Sequence, residues 1–160
     1  MKCLIRMFFF VCCFLQSALA YAQLHAIDGD SLMDGETRIR LDGIDAPEIF
    51  QTCRQNDEEY PCGQEAYIYL KNLMQNNNVN CSCLAQKDKY GRSLCECFAG
   101  DLSLNRQMVK AGWAMPYRSE KYTSEQNEAM QNHIGLWQGK FMRPALFRAL
   151  ERLRQREYKP

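Results

Sequence analysis

The sequence has almost no surplus of positive charge: its 160 residues carry 20 Lys and Arg against 19 Asp and Glu, a formal net charge of +1. Gripping a polyanion by bulk electrostatics takes many cations. Any polyphosphate partner must therefore be held by a few well-placed cations and a metal. The chain also lacks an apolar run of the ~18 to 20 residues that a membrane-spanning helix needs; the run at 7–15 falls well short. It has no internal repeat and no compositional break, which together with its length points to one domain around one core.

Lys2 and Arg6 precede the apolar run, and the small-residue stretch at 17–22 follows it. Residues 1–22 therefore read as a signal peptide cleaved after Ala20 or Ala22, in preference to an uncleaved anchor. Its loss removes two of the 20 basic residues and none of the 19 acidic ones, so the mature chain has a net charge of −1. The product is expected to be secreted or periplasmic, with no membrane attachment once the leader is gone.

Of the nine cysteines, Cys3, Cys12 and Cys13 leave with the leader and six remain. An even number in an exported chain reads as disulfides. Cys81-x-Cys83 and Cys95-x-Cys97 flank the turn-like Asp88-Lys89-Tyr90-Gly91-Arg92. Opposed residues of an antiparallel hairpin have a constant index sum, and 81 with 97 gives the same sum as 83 with 95. Both pairs then face each other on one side of the ribbon, leaving Cys53 for Cys62. The chain-entropy model assigns roughly 3 kcal/mol each to the short loop and to the hairpin's outer bridge. A zinc site with four cysteine ligands is the competing reading of the two Cys-x-Cys pairs.

Short strand-like runs at 23–27, 31–33 and 37–44 are separated by Asp-Gly turns, a meander pattern. Residues 45–61 are polar, contain Pro47 and Pro61, and read as a long loop. Ala66, Tyr69, Leu70, Leu73 and Met74 recur at helical spacing until the Asn76-Asn77-Asn78 stop. A cysteine hairpin is expected over 79–99. A helix capped by Asp101 should run to Lys110, and another should run from the capping box at 123–126 to near Gly135. In the tail, Pro144 can open an amphipathic helix with Leu146, Phe147, Leu150 and Leu153 on one face and Arg148, Arg152, Arg154 and Arg156 around it. That helix reads as a packing element with a solvated basic face rather than an RNA or membrane contact.

Three motifs carry chemistry: Ile27-Asp28-Gly29-Asp30-Ser31, then residues 40–48 from Arg40 to Glu48, then Asp88-Lys89-Tyr90-Gly91-Arg92. Singly they are turns and strand ends. Together they offer hard carboxylate oxygens for Ca2+ or Mg2+, a spare carboxylate, and two guanidiniums. Phosphodiester hydrolysis needs those parts: a metal and guanidiniums to offset charge on the pentacovalent phosphate, and a carboxylate to take a proton from water. The residue before a proline is held out of the helical region, so Ala46 should be extended with its carbonyl available, and Pro47 sets the distance from Asp45 to Glu48.

In this order, with a helix between the second and third, the motifs resemble the staphylococcal nuclease family over residues 24–137. The resemblance implies an α+β chain, a five-stranded OB-fold β-barrel with three helices plus a short C-terminal helix, with the domain at 23–139 and a basic tail at 140–160. It implies Asp30, Asp45 and the Ala46 carbonyl as Ca2+ ligands, Glu48 as general base, and Arg40 and Arg92 as phosphate clamps. Crowded together in that way without metal, Asp30, Asp45 and Glu48 would repel, each pair at ~4 Å costing about 4 kcal/mol at an effective dielectric of 20. Lys89 and Tyr90 would touch the terminal phosphate of the product, and Tyr117 would stack on a base. The Cys53 to Cys62 loop, the cysteine hairpin and Gly135-Leu136-Trp137 resemble exported bacterial members. Ser31 and Ala46 stand where the best-known member has threonines; neither departure removes a carboxylate or guanidinium. The implied activity is calcium-dependent endonucleolytic cleavage of DNA and RNA, leaving 3′-phosphate ends, by a monomer without a stable protein partner. The alternatives are an OB barrel that binds single-stranded nucleic acid without cutting it, and a cysteine-rich redox protein.

Overall fold

The computed structural model describes residues 24–158; the expected leader lies outside the described residues. Four short strands open the described residues: β1 (His25–Ala26), β2 (Ser31–Asp34), β3 (Thr37–Leu41) and β4 (Ile44–Asp45). β2 and β3 pair antiparallel from Ser31↔Arg40 to Asp34↔Thr37, across a two-residue turn that begins with Gly35 at φ 57°. The strand expected over 37–44 is broken after Leu41. Gly43, at φ 75°, turns the chain there, and Ile44 and Asp45 pair with Pro116 and Met115.

The region read as one long loop contains a hairpin, β5 (Cys53–Gln55) with β6 (Glu58–Tyr60). Its turn residues Asn56 and Asp57 have φ of 49° and 65°, the left-handed geometry that two-residue hairpin turns require. Strands this short and polar carry no apolar alternation, so periodicity cannot reveal them.

Helix α1 (Cys62–Met74) begins four residues before its apolar periodicity does, with Cys62, Gly63, Ala66 and Leu70 forming its buried face. Asn76, at φ 60°, turns the chain beyond its end. β7 (Val79–Lys87) and β8 (Ser93–Ala99) then form the cysteine hairpin in the expected register, Cys81 opposite Cys97 and Cys83 opposite Cys95. Those pairs and Cys53–Cys62 are closed as disulfides, which removes the zinc reading. A register shift between Cys83 and Lys87 places Lys87 opposite Ser93.

Two helix caps differ from expectation. Leu102 and Ser103 form β9 (Leu102–Ser103) against β8, so α2 (Leu104–Lys110) is capped by Ser103, whose hydroxyl accepts the Arg106 N–H at 3.2 Å, and not by Asp101. After β10 (Met115–Pro116), α3 (Thr123–Gln131) has Thr123 as its first helical residue, with the hydroxyl donating back to the Glu120 carbonyl at 2.9 Å; it also stops short of Gly135. A 3-10 turn at Gly135–Gln138 leads to α4 (Pro144–Glu157).

The main sheet runs β1-β2-β3-β8-β7, with β9 added on β8. Among the described residues only the β3–β8 pairing is parallel, setting Ile39, Arg40 and Leu41 beside Ser93, Leu94 and Cys95. This five-strand path with α1, α2 and α3 is the OB-fold, to which α4 is appended. Leu32, Leu41, Ile44, Leu70, Leu104 and Met108 fill the core and are essentially inaccessible. Each contributes about 1.5–3 kcal/mol by leaving water. Buried Asn105 ties α2 to the sheet: its carbonyl accepts the Cys97 N–H at 3.1 Å, and its amide donates to the Asp42 and Cys95 carbonyls at 2.9 and 3.1 Å.

Two glycines let α1 lie against the motif segments. A Cβ on Gly29 would fall 2.8 Å from Ala46 Cβ and 2.9 Å from Ala66 Cβ, and one on Gly63 would fall 1.8 Å from the Glu48 carbonyl oxygen. Gly63→Ala must therefore push the Glu48 backbone away from α1. We expect it to cost about 1–3 kcal/mol in urea unfolding; wild-type stability would show that this approach can relax.

Candidate active site

The second motif crosses from β3 into β4, and Arg40 lies on the face of β3 opposite the core residues Ile39 and Leu41, where its guanidinium is almost wholly buried between two carboxylates. Its Nη1 pairs with Asp30 Oδ1, and its Nη2 with Asp45 Oδ1 at 2.8 Å and with the Ile44 carbonyl at 3.0 Å. Asp30 and Asp45 are 4% and 1% exposed, so an unpaired charge on either would be severely unfavourable. The remaining Asp30 oxygen, Oδ2, accepts the Ala46 N–H at 2.7 Å, while Ser31 Oγ donates to Oδ1 at 3.1 Å. Burial pulls the Arg40 guanidinium below its ordinary value; Asp45 opposes that fall and Arg92 adds to it.

Glu48 sits in a tight turn in which the Gln51 N–H donates to the Glu48 carbonyl at 2.7 Å. The fully buried Gln51 side chain accepts the Glu48 N–H at 3.3 Å and donates to the Met142 carbonyl at 2.7 Å. Its backbone carbonyl takes the Gly63 N–H at 3.1 Å. One residue thus joins the Glu48 turn to α1 and to the chain entering α4.

Asp88 organises the third motif. Its Oδ1 accepts the N–H groups of Tyr90 and Arg92 at 2.9 Å each, and its Oδ2 accepts Arg92 Nε and Nη2 at 2.8 Å each. Burial would raise the Asp88 carboxyl, but the hydrogen bonds from the Arg92 backbone and side chain and the Tyr90 backbone outweigh it, and the group lies below the usual carboxylate range. Lys89 Nζ and the Arg92 guanidinium lie over the Tyr90 ring at 5.0 and 5.5 Å. Tyr117 has Arg118 over its ring at 5.1 Å.

A single cleft of about 1030 Å³ is lined by Asp30, Arg40, Glu48, Lys89, Tyr90, Arg92 and Tyr117 together. Asp45 and Ala46 lie buried behind its wall. The cleft also receives a residue that the sequence reading left on a solvated face. Arg148, from α4, places Nη1 3.0 Å from Glu48 Oε1 and Nη2 3.0 Å from Asp45. Burial works against its charge, yet the hydrogen bond and charge of Asp45, and then those of Glu48, hold the guanidinium above its ordinary value. The three carboxylates expected to repel one another are therefore interleaved with two guanidiniums. Helical periodicity marks Arg148 only as lying off the apolar stripe, and no sequence signal ties it to residues a hundred positions away; the same holds for Gln51.

Among the described residues no cluster of three or more His, Cys, Asp or Glu side chains could hold a metal ion by itself. The nearest donor set is two buried carboxylates, Asp30 and Asp45, whose oxygens here accept from Arg40, Arg148, Ser31 and the Ala46 N–H. These are hard oxygens, and they suit a calcium or magnesium ion that completes its shell with water or substrate oxygens.

A sequence profile of the family described as staphylococcal nuclease homologues matches residues 38–139, the span that carries Arg40, Asp45, Glu48 and Arg92. The chain belongs to the staphylococcal nuclease family. A thermonuclease of Staphylococcus intermedius is 31% identical over 131 residues, covering 74% of this chain and 76% of that protein. An uncharacterized endonuclease of Escherichia coli O157:H7 is 35% identical over 125 residues, 71% and 74% of the two chains. The succinoglycan biosynthesis protein ExoI of Rhizobium meliloti (strain 1021) is 31% identical over 120 residues, covering 72% of this chain and 63% of that protein. In this member of the staphylococcal nuclease family no helix among the described residues is long and apolar enough to cross a membrane.

The depressed Asp88 carboxyl gives the hairpin tip a pH signature. A carboxylate whose folded pKa lies below its unfolded value of ~3.9 stabilises fully above that value, and the contribution is lost as pH falls through the folded pKa. Wild type should exceed Asp88→Asn by about 1–3 kcal/mol near neutrality, with the advantage shrinking below about pH 4. Thermal melts of both proteins across that range check this; an advantage that persists unchanged in acid would refute it.

Proposed function

We propose that the protein is an exported, calcium-dependent endonuclease that hydrolyses phosphodiester bonds of DNA and RNA and leaves 3′-phosphate ends. The observation that carries the reading is the convergence of Asp30, Arg40, Glu48 and Arg92 on one cleft, with Asp45 buried behind its wall and bonded to Arg40, in a family that includes proteins named thermonuclease and endonuclease. Three closed disulfides support export to an oxidising compartment.

In this reading Asp30, Asp45 and the Ala46 carbonyl hold the calcium. When bound, the ion supplies Lewis-acid polarisation of a phosphoryl oxygen and counter-charge for the phosphate. Glu48 takes the proton from the attacking water, and the water oxygen bonds to phosphorus as the bond to the 5′-oxygen breaks. Arg40 and Arg92 donate to the equatorial oxygens, where charge accumulates. Asp88 keeps Arg92 in a fixed orientation, so its guanidinium meets the phosphate already ordered. Gln51 sets the Glu48 backbone. Lys89 and Tyr90 extend the contact to the product's terminal phosphate, and Tyr117 offers a ring face to a base.

The test is cleavage of single-stranded and duplex DNA and RNA with calcium, with magnesium and with chelator, beside Glu48→Gln and Arg92→Ala. Wild type should cut with calcium, and each variant should lose roughly 100-fold or more in turnover while melting near the wild-type temperature. Calcium should raise that temperature, by about 2.7 kcal/mol of stability at a hundredfold excess over its dissociation constant. Near-full activity of Glu48→Gln would remove it as the base, and absence of cutting in every ion would replace the nuclease with a nucleic-acid-binding barrel.

A further inference from the structure

α4 is an unusual neighbour for a catalytic cleft. Of its 14 residues only Pro144 is buried, yet Ala145, Arg148 and Arg152 wall the cleft, and Phe147 packs on Phe50 with ring centroids 5.6 Å apart. Its firmest attachment is polar, the fork of Arg148 across Asp45 and Glu48.

Charge balance indicates what the fork does. Asp30, Asp45 and Glu48 form a connected group with Arg40 and Arg148, and three carboxylates against two guanidiniums leave one formal negative charge. Arg92 is matched by Asp88 and does not alter that balance. A divalent cation held by Asp30 and Asp45 would change the balance of this bonded group to one positive charge, to which a phosphodiester is attracted; Asp28, which also lines the cleft, lies outside the group. Without Arg148 the loaded site would be neutral.

Geometry decides which guanidinium yields. Both are bonded to Asp45, but Arg40 is also locked to Asp30 and to the Ile44 carbonyl and is 9% exposed as a residue. The Arg148 side chain is 28% exposed, on a helix with little burial. When Asp45 is shared with a cation, Arg148 Nη2 is the group that can turn to the cleft while Nη1 stays on Glu48.

We propose that Arg148 is a substrate-phosphate-binding residue of this enzyme, a third guanidinium supplied by the C-terminal helix and parked on Asp45 until a divalent cation takes its place. The assignment rests on the nuclease reading and adds a residue to it. It has two linked consequences: Arg148 competes with the cation for Asp45, and it then contacts nucleic-acid phosphate beside Glu48.

Two measurements on the full chain test it. In calorimetric titration with calcium alone, Arg148→Gln should bind the ion several-fold more tightly than wild type, because Asp45 is no longer shared. In steady-state cleavage of a single-stranded oligonucleotide with calcium, Arg148→Gln should raise KM roughly tenfold or more with a smaller change in kcat. The slope of log kcat/KM against log salt should fall in magnitude by about 0.7, one lost phosphate contact on a single strand. Arg148→Lys, which keeps the charge but not the fork, should fall between. Arg156→Gln, on the same helix outside the cleft, should leave both readouts at wild type. Unchanged KM and salt slope in Arg148→Gln, calcium affinity no tighter than wild type, or an equal effect from Arg156→Gln would each overturn the proposal. Absence of cleavage by wild type would instead overturn the nuclease reading, so the two failures are separable.

Discussion

The structure depends on a buried ion cluster. Asp30 and Asp45 are withdrawn almost completely from water, and each buried charge costs several kcal/mol unless it is paired with good geometry. Arg40 supplies that pairing from the adjacent strand, and the Ala46 N–H and Ser31 hydroxyl occupy further acceptor positions on Asp30. Removing one partner from such a group leaves an uncompensated charge at about 3–5 kcal/mol. The fold is therefore committed to holding β3, β4 and the segment before β2 in one arrangement, and chemistry at this place inherits that rigidity.

Around the cluster, neighbouring elements fix what the cluster itself does not. Gly63 allows α1 to touch the Glu48 backbone, Gln51 fastens that turn to α1 and to the approach of α4, and the Cys53–Cys62 bridge closes the β5–β6 hairpin that lies between Gln51 and Gly63. The hairpin tip is organised separately, by one carboxylate gathering the N–H groups and guanidinium of its own turn. Two preorganised pieces thus face each other across the cleft, one built into the barrel and one at the end of a ribbon stiffened by two disulfides.

Much of this was legible in the sequence because it is local. The Asp-Gly turns, the Ala-Pro stereochemistry at 46–47 and the index sum of the cysteine pairs involve neighbours in the chain or a single ribbon, and the observed register is the one the sum requires. The three motifs also marked the residues that the barrel brings together. What escaped depends on tertiary partners. The β5–β6 hairpin rests on two left-handed residues in polar surroundings, α2 lost its expected cap because β9 claimed the preceding residues, and Arg148 looked like any solvated arginine on an amphipathic helix. A basic side chain off the apolar stripe carries no mark of what lies opposite it in space.

The parallel pairing of β3 with β8 has a further consequence. It sets Arg40 beside Leu94 across a stretch of chain that contains β4, the β5–β6 hairpin, α1 and β7. Contacts this distant in the chain must overcome loop-closure entropy before they contribute any stability, which slows folding. A contiguous fragment ending before β8 lacks the strand with which β3 pairs, so it holds the individual motifs without the pairing that helps bring them to one cleft.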